Sequence, residues 1–276
     1  RVNVRFNPSE AVNLRVSYAG GYRAPQAFDE DMHIAIEGGE RVRIQLADDL
    51  KEERSHSVSL SADLYHTFGK VQTNLLVEGF YTILDDVFAL RDMDDAADGG
   101  KVKERYNGSG ATVRGFNVEG RAAFTRWFEL QAGVTLQQSR YKEPEYWSED
   151  AEVPPVRRMF RTPDAYGYFT ASFKPVRNFT ADLSGTCTGS MLVQHMAGSG
   201  VGQDVAVSTP SFFDMNIRLS YDVRIYKEIT MQLYGGVQNL FNAYQKDFDK
   251  GVDRDSGYIY GPSLPRSWFV GAKFSF

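Results

Sequence analysis

Four histidines, one cysteine, a handful of crowded carboxylates and one aromatic–arginine segment are the residues of this 276-residue chain that could do chemistry. Hydrolysis would need a serine beside a histidine that a carboxylate orients. His56 and His66 lie in or beside serine-rich stretches, but serines recur in every such stretch, so no catalytic pairing stands out. His33 and His195 lie in long polar segments. An imidazole there can ligate haem iron, and His195-Met196 offers a histidine or a methionine for the same purpose. The plain alternative is a solvated loop histidine. Cys187 excludes a disulfide framework and a cysteine-based zinc site. It shares an alternating register with Leu183, Gly185 and Met191, which reads as inert packing.

Two acidic segments offer oxygen ligands. Asp92, Asp94, Asp95 and Asp98 crowd one, whereas Asp247, Asp249, Asp253 and Asp255 are spaced through the other with Gly251 and Gly257. Such sets suit calcium, although neither follows the EF-hand order. Lys246, Lys250 and Arg254 partly neutralise the second, so a solvated, lysine-paired loop is the competing reading. Tyr146-Trp147, followed by Arg157, Arg158 and Arg161, suits an anionic aromatic chelate through stacking and charge pairing. The same residues suit an interfacial girdle and lipopolysaccharide phosphates. Nucleic acid is not the expected partner, because the net charge is −5 and no Lys/Arg block is present.

The elements that must position these residues have period two. Phe213, Met215, Ile217, Leu219, Tyr221 and Val223 alternate with Asp214, Asn216, Arg218, Ser220, Asp222 and Arg224. One face of such a strand meets an apolar medium and the other a polar one. The pattern recurs through eleven predicted strands, near 1–6, 11–19, 55–66, 70–91, 101–125, 127–141, 164–174, 178–194, 211–224, 228–241 and 265–276. Short connectors alternate strictly with long ones, the long ones covering roughly 20–54, 92–100, 142–163, 195–210 and 242–264. Mean hydropathy is −0.40 and no run reaches the length of a membrane helix. An all-β, antiparallel transmembrane barrel fits all of this, with tight turns at one end and long loops at the other. A soluble sandwich or β-helix would have shorter strands and no such order of connectors. Barrels of one bacterial chain have an even strand count. Eleven strands therefore predict a further strand before Arg1, or a sheet that does not close by itself.

Several motifs add a family resemblance. Gly21-Tyr22-Arg23-Ala24-Pro25, then Phe28-Asp29-Glu30, resembles the "FRAP" box of TonB-dependent receptors. Asp48-Asp49-Leu50-Lys51-Glu52-Glu53-Arg54-Ser55 is similar to that family's "NPDLKPE-S" segment, without its Asn-Pro. Val237-Gln238-Asn239-Leu240-Phe241-Asn242-Ala243-Tyr244 resembles the penultimate-strand signature, and Tyr260-Gly261-Pro262 with Leu264-Pro265-Arg266-Ser267-Trp268-Phe269 resembles the lead-in to the last strand. Phe276 matches the terminal aromatic read by the outer-membrane assembly machinery. The resemblance implies residues 1–276 as the C-terminal half of a 22-stranded barrel, with plug domain and TonB box absent. It implies no enzyme and no resident cofactor, but import of a scarce chelate across the Gram-negative outer membrane, energised by the inner-membrane TonB complex. An iron-siderophore is the expected ligand, with haem or cobalamin behind it. Tyr22, Arg23, His33, Tyr146, Trp147, Arg157, Arg158 and His195 are the expected ligand contacts, and lipid and lipopolysaccharide the expected surroundings. The competing class is a small self-contained outer-membrane barrel, a porin or barrel enzyme lacking one strand.

Overall fold

The computed structural model describes residues 1–25, 42–93, 101–148, 150–262 and 264–275, with the backbone alone at 42, 43, 92 and 101. These residues form seventeen strands and no helix. In chain order they are β1 (Val2–Ser9), β2 (Val12–Arg23), β3 (Val42–Leu46), β4 (Glu53–Phe68), β5 (Val71–Asp85) and β6 (Phe88–Asp92). There follow β7 (Lys101–Asn107), β8 (Ala111–Thr125), β9 (Phe128–Glu145), β10 (Val156–Arg158), β11 (Ala165–Phe173) and β12 (Phe179–Thr188). The last are β13 (Leu192–His195), β14 (Val205–Ser208), β15 (Phe212–Tyr226), β16 (Ile229–Gln238) and β17 (Ser267–Ser275).

Eleven of them, β1-β2-β4-β5-β8-β9-β11-β12-β15-β16-β17, form one antiparallel meander in sequence order, with β10 added to β9. The eleven expected strands are these eleven, but three are shorter than their period-two runs. Residues 70–91 break after Asp85, where Asp86 has φ 53° and the chain leaves the wall for β6. Residues 101–125 break at Gly110, with φ 84°, where a Cβ would run into the Leu84 carbonyl oxygen. Residues 178–194 break after Thr188, and the remainder becomes β13, paired with β14. Alternation alone does not reveal such breaks, because the loop strands alternate too. The other loop sheet, β3-β7-β6, includes a parallel pair, β3 with β7.

The wall has no interior core of its own. Its outward register joins apolar residues strand to strand, as in the row Val4, Val16, Leu60, Gly79, Phe116 and Leu136. Another row runs Leu183, Ile217, Val237 and Trp268. Leu60 is 60% exposed and Phe116 65%. In water this belt would be a continuous exposed apolar patch, so hydrocarbon is the medium it suits. Cys187 lies in it, between Gly167 and Phe213. At the short turns Trp127 packs edge-on to Phe173 at 5.2 Å, and Phe124 stacks on Phe128 at 5.3 Å, giving the belt an aromatic margin.

Inward positions are polar and bonded across strands. Asn117 donates to Glu78 at 2.9 Å and accepts from the Thr135 hydroxyl at 2.8 Å. Gln131 donates to Glu119 at 2.8 Å, and Ser172 to Asp182 at 2.7 Å. Arg218 lies 4.6 Å from the centre of the Tyr234 ring. β4 has 16 residues, which at about 3.3 Å each is roughly 50 Å, longer than a tilted strand needs to cross a bilayer.

Candidate functional site

Three long loops meet above β9 to β17, and most of the candidate residues lie there. They are the segments 146–164, 189–211 and 239–266, which carry β10, β13 and β14. His195 ends β13. Its Nε2 lies 3.0 Å from both carboxylate oxygens of Asp249, and its ring stacks on Tyr258 at 3.6 Å and 7°. Both side chains are buried, with 8% and 4% exposure. The approach is close enough that a Cβ on Gly200 would collide with the Asp249 carboxylate.

The remaining acids of the 239–266 loop serve it in the same way. Asp249 accepts the Asp255 N–H at 3.1 Å, and Asp255 accepts the N–H groups of Met196 at 2.8 Å and Gly257 at 2.7 Å. Asp247 accepts the hydroxyls of Tyr260 at 2.6 Å and Tyr258 at 3.0 Å. Burial opposes the charge on Asp247, but these two hydroxyls prevail and hold its carboxyl below the usual range. Burial, with the bond to Asp247, pushes the Tyr258 hydroxyl up to about 12 and raises Tyr260 as well. Gln245, 1% exposed, donates to the Tyr258 carbonyl at 3.0 Å and accepts from the Tyr260 N–H at 2.9 Å.

Of the carboxylates read from sequence as calcium candidates, Asp247, Asp249 and Asp255 take N–H and O–H donors. Among the described residues no group of three or more His, Cys, Asp or Glu side chains could hold a metal ion. Asp253 contributes its carbonyl, which accepts the Ser199 N–H at 3.0 Å. Asp94, Asp95, Asp98, His33 and Phe276 lie outside the described residues, as do Phe28, Asp29 and Glu30.

The aromatic–arginine segment divides. Arg161, at φ 55°, donates to the carbonyls of Ile259 at 2.7 Å and Gly257, and its own N–H reaches the Leu192 carbonyl at 2.7 Å. One residue thereby clamps all three loops. Arg158 donates to the Ser190 carbonyl at 2.7 Å and lies 3.2 Å from Asp164. Its Nε, with Asp164 Oδ1 and Ser139 Oγ, is buried without a partner. Arg157 is exposed and donates to the Lys142 carbonyl at 3.1 Å. Tyr146 is 76% exposed, while Trp147 donates to the Pro154 carbonyl at 3.3 Å and packs edge-on to Phe160. Far from this cluster, Arg23 is held by Glu53 at 2.6 Å beneath the loop sheet, 4.9 Å from the centre of the Phe88 ring. Tyr22 lies on the outward register of β2, opposite Arg54.

His56 shares a 2.8 Å hydrogen bond with the Tyr18 hydroxyl, and His66 packs edge-on to Phe68. Sequence reading missed the partnership of His195 with Asp249 and the roles of Gln245, Tyr258 and Tyr260. The available signal was a lone histidine in one polar loop facing a run of acids and tyrosines in another.

Residues 1–240 match the family model described as TonB dependent receptor-like, beta-barrel. The chain belongs to this family. Among solved structures, the ferric-catecholate import receptor Fiu of E. coli K12 is similar at TM-score 0.64 and 17% identity, over 98% of this chain and 34% of that one. The ferric enterobactin receptor PfeA of Pseudomonas aeruginosa gives 0.64 and 16%, over 98% and 39%. The copper transporter OprC gives 0.66 and 12%, over 99% and 38%. At these identities the likeness is one of fold, and the chain spans little more than a third of each of these receptors. Comparison with curated proteins gives no match. The family model describes a receptor barrel, not an enzyme.

Proposed function

We propose that this chain is the C-terminal half of a ligand-gated importer in the Gram-negative outer membrane, with its long loops outside. The observation that carries the reading is the wall itself: an unbroken apolar outer face and a polar inner face across eleven strands. β1 and β17 stand at the two edges of this sheet. An unpaired edge in hydrocarbon costs several kcal/mol for each unsatisfied group, so further strands must complete the barrel. Barrels of about 22 strands carry a plug in the lumen, and the polar inner wall suits such a surface. TonB would act on that plug. A small barrel closed by one more strand remains the second class, but the match to the family model favours the large one.

An iron-siderophore is the proposed ligand. Tyr146 and Arg157, both exposed in the 146–164 loop, supply a stacking face and a cation without an ion pair among the described residues, as an anionic aromatic chelate needs. His195 is withdrawn from haem by Asp249 and Tyr258, which leaves His33 as the candidate axial ligand for haem. The test uses full-length purified receptor. Tyr146→Ala with Arg157→Ala should weaken binding of a ferric catecholate about tenfold or more, since charge-assisted contacts contribute roughly 1.5–3 kcal/mol each. Haem should give no Soret shift; a shift lost in His33→Ala would replace the siderophore with haem.

A further inference from the structure

At about 3.3 Å per residue, the 18 residues of β9 span roughly 60 Å, so the strand's last residues stand outside a bilayer. It ends on Glu145, beside the 107–110 turn. The Glu143 N–H reaches the Ser109 hydroxyl at 3.3 Å, and the Lys142 N–H reaches the Gly110 carbonyl at 3.0 Å. A Cβ on Gly108 would stand 4.0 Å from a carboxylate oxygen of Glu145. The end of β7 and the end of β9 thus meet at this carboxylate.

Glu145 is half-buried, and among the described residues its carboxylate makes no hydrogen bond and no ion pair. The cations of the adjoining segments are engaged elsewhere. Arg91 donates to Glu104 at 2.7 Å, Lys142 pairs with Asp85, and Arg157 donates to the Lys142 carbonyl at 3.1 Å. Burial alone acts on Glu145 and pushes its carboxyl up from the usual range. Tyr106 and Tyr141 lie close enough that their hydroxyls are raised by burial and then by the Glu145 charge. The Tyr106 ring already receives one cation, the Arg91 guanidinium 4.9 Å from its centre. A carboxylate drawn from water without a counter-charge is costly. Directly before Tyr146, it would also repel the anionic chelate proposed above.

We infer that Glu145, with Tyr106 and Tyr141, seats a protonated organic amine. The ammonium N–H groups bond the carboxylate, and the faces of the tyrosine rings attract the same charge. This ligand chemistry is opposite in sign to that of the chelate, and the site does not depend on that reading.

The probe is benzylamine, with uncharged benzyl alcohol as its counterpart. Each is added to full-length receptor in detergent and followed by saturation-transfer difference NMR. The amine should bind and the alcohol should not. E145Q should lower amine affinity on the order of tenfold or more, and E145D, which keeps the charge on a shorter stem, should fall between. E152Q removes an exposed carboxylate of the neighbouring loop and should change nothing. Amine affinity should fall as pH is lowered through the range in which Glu145 gains its proton, because the amine keeps its charge there and the carboxyl does not. E145Q should lose that dependence. A heat-dependent gel shift of the barrel confirms that each variant is folded. Equal binding of amine and alcohol, undetectable binding of the amine, or an E145Q affinity equal to that of the unaltered receptor would overturn the inference. Ferric catecholate binding is a separate assay, so a failure there removes the chelate and not this site.

Discussion

The short-turn hairpins of the wall join near neighbours, while the loop crown above them joins residues far apart in sequence. In the wall, Ser172 bonds Asp182 and Gln232 bonds Asp222, each ten residues away across one turn. In the crown, His195 reaches Asp249 across 54 residues and Arg161 reaches Ile259 across 98. The wall's partners follow from strand alternation and a tight turn, so each hairpin repeats the same solution. The contacts between crown loops must instead offset the entropy of closing long loops, and they do so with polar groups that satisfy one another. The wall gains its stability from its medium, the crown from its own network.

Breaking the wall should have the larger effect. Ile217→Arg places a charge on the outward register and should cost about 2–4 kcal/mol near the bilayer midplane, measured by reversible unfolding of the full receptor in lipid. Asn216→Arg, one residue away and inward, should cost less, chiefly the bond its side chain accepts from the Asn239 N–H at 2.9 Å. Equal costs would mean that the two faces are not distinguished by their medium.

Breaking the crown should be a smaller, local event. His195→Leu leaves the Asp249 carboxylate buried with the Asp255 N–H as its remaining bond, a loss of about 1–3 kcal/mol. Amide exchange should accelerate at Met196, Asp255 and Gly257, with β15 and β16 unchanged. Acceleration spread along those wall strands would show that the two regions unfold together.

The smallest effect is a pH response confined to the crown. The Tyr258 hydroxyl is raised to about 12, and Tyr260 is also raised. A raised value means that the protonated form is favoured in the folded crown. Its contribution is complete below the ordinary tyrosine value of about 10 and is lost as pH climbs through the folded value. Asp247→Asn should bring both hydroxyls down, so tyrosinate absorbance at about pH 11 should be higher in that variant than in the unaltered receptor.

The same contrast explains what was legible in the sequence. Period two gave the eleven wall strands, their faces and the outward place of Cys187, because a strand's two media are written into consecutive residues. The breaks at Asp86 and Gly110 were hidden, since the chain keeps alternating after it leaves the wall. Asp247, Asp249 and Asp255 looked like cation ligands because composition shows charge but not the donors that a distant loop brings. Arg157, Arg158 and Arg161 look alike in sequence, yet Arg158 and Arg161 brace other loops while Arg157 donates to the Lys142 carbonyl.

The central claim is that consecutive residues of each wall strand face different media. Spin labels placed singly at 213 through 219 of the full receptor in a bilayer, read for oxygen against a water-soluble nickel chelate, test it most directly. Oxygen accessibility should peak at 213, 215, 217 and 219, with the nickel chelate or immobilisation dominating at 214, 216 and 218. A profile without period two, or with oxygen favouring 214, 216 and 218, would contradict it.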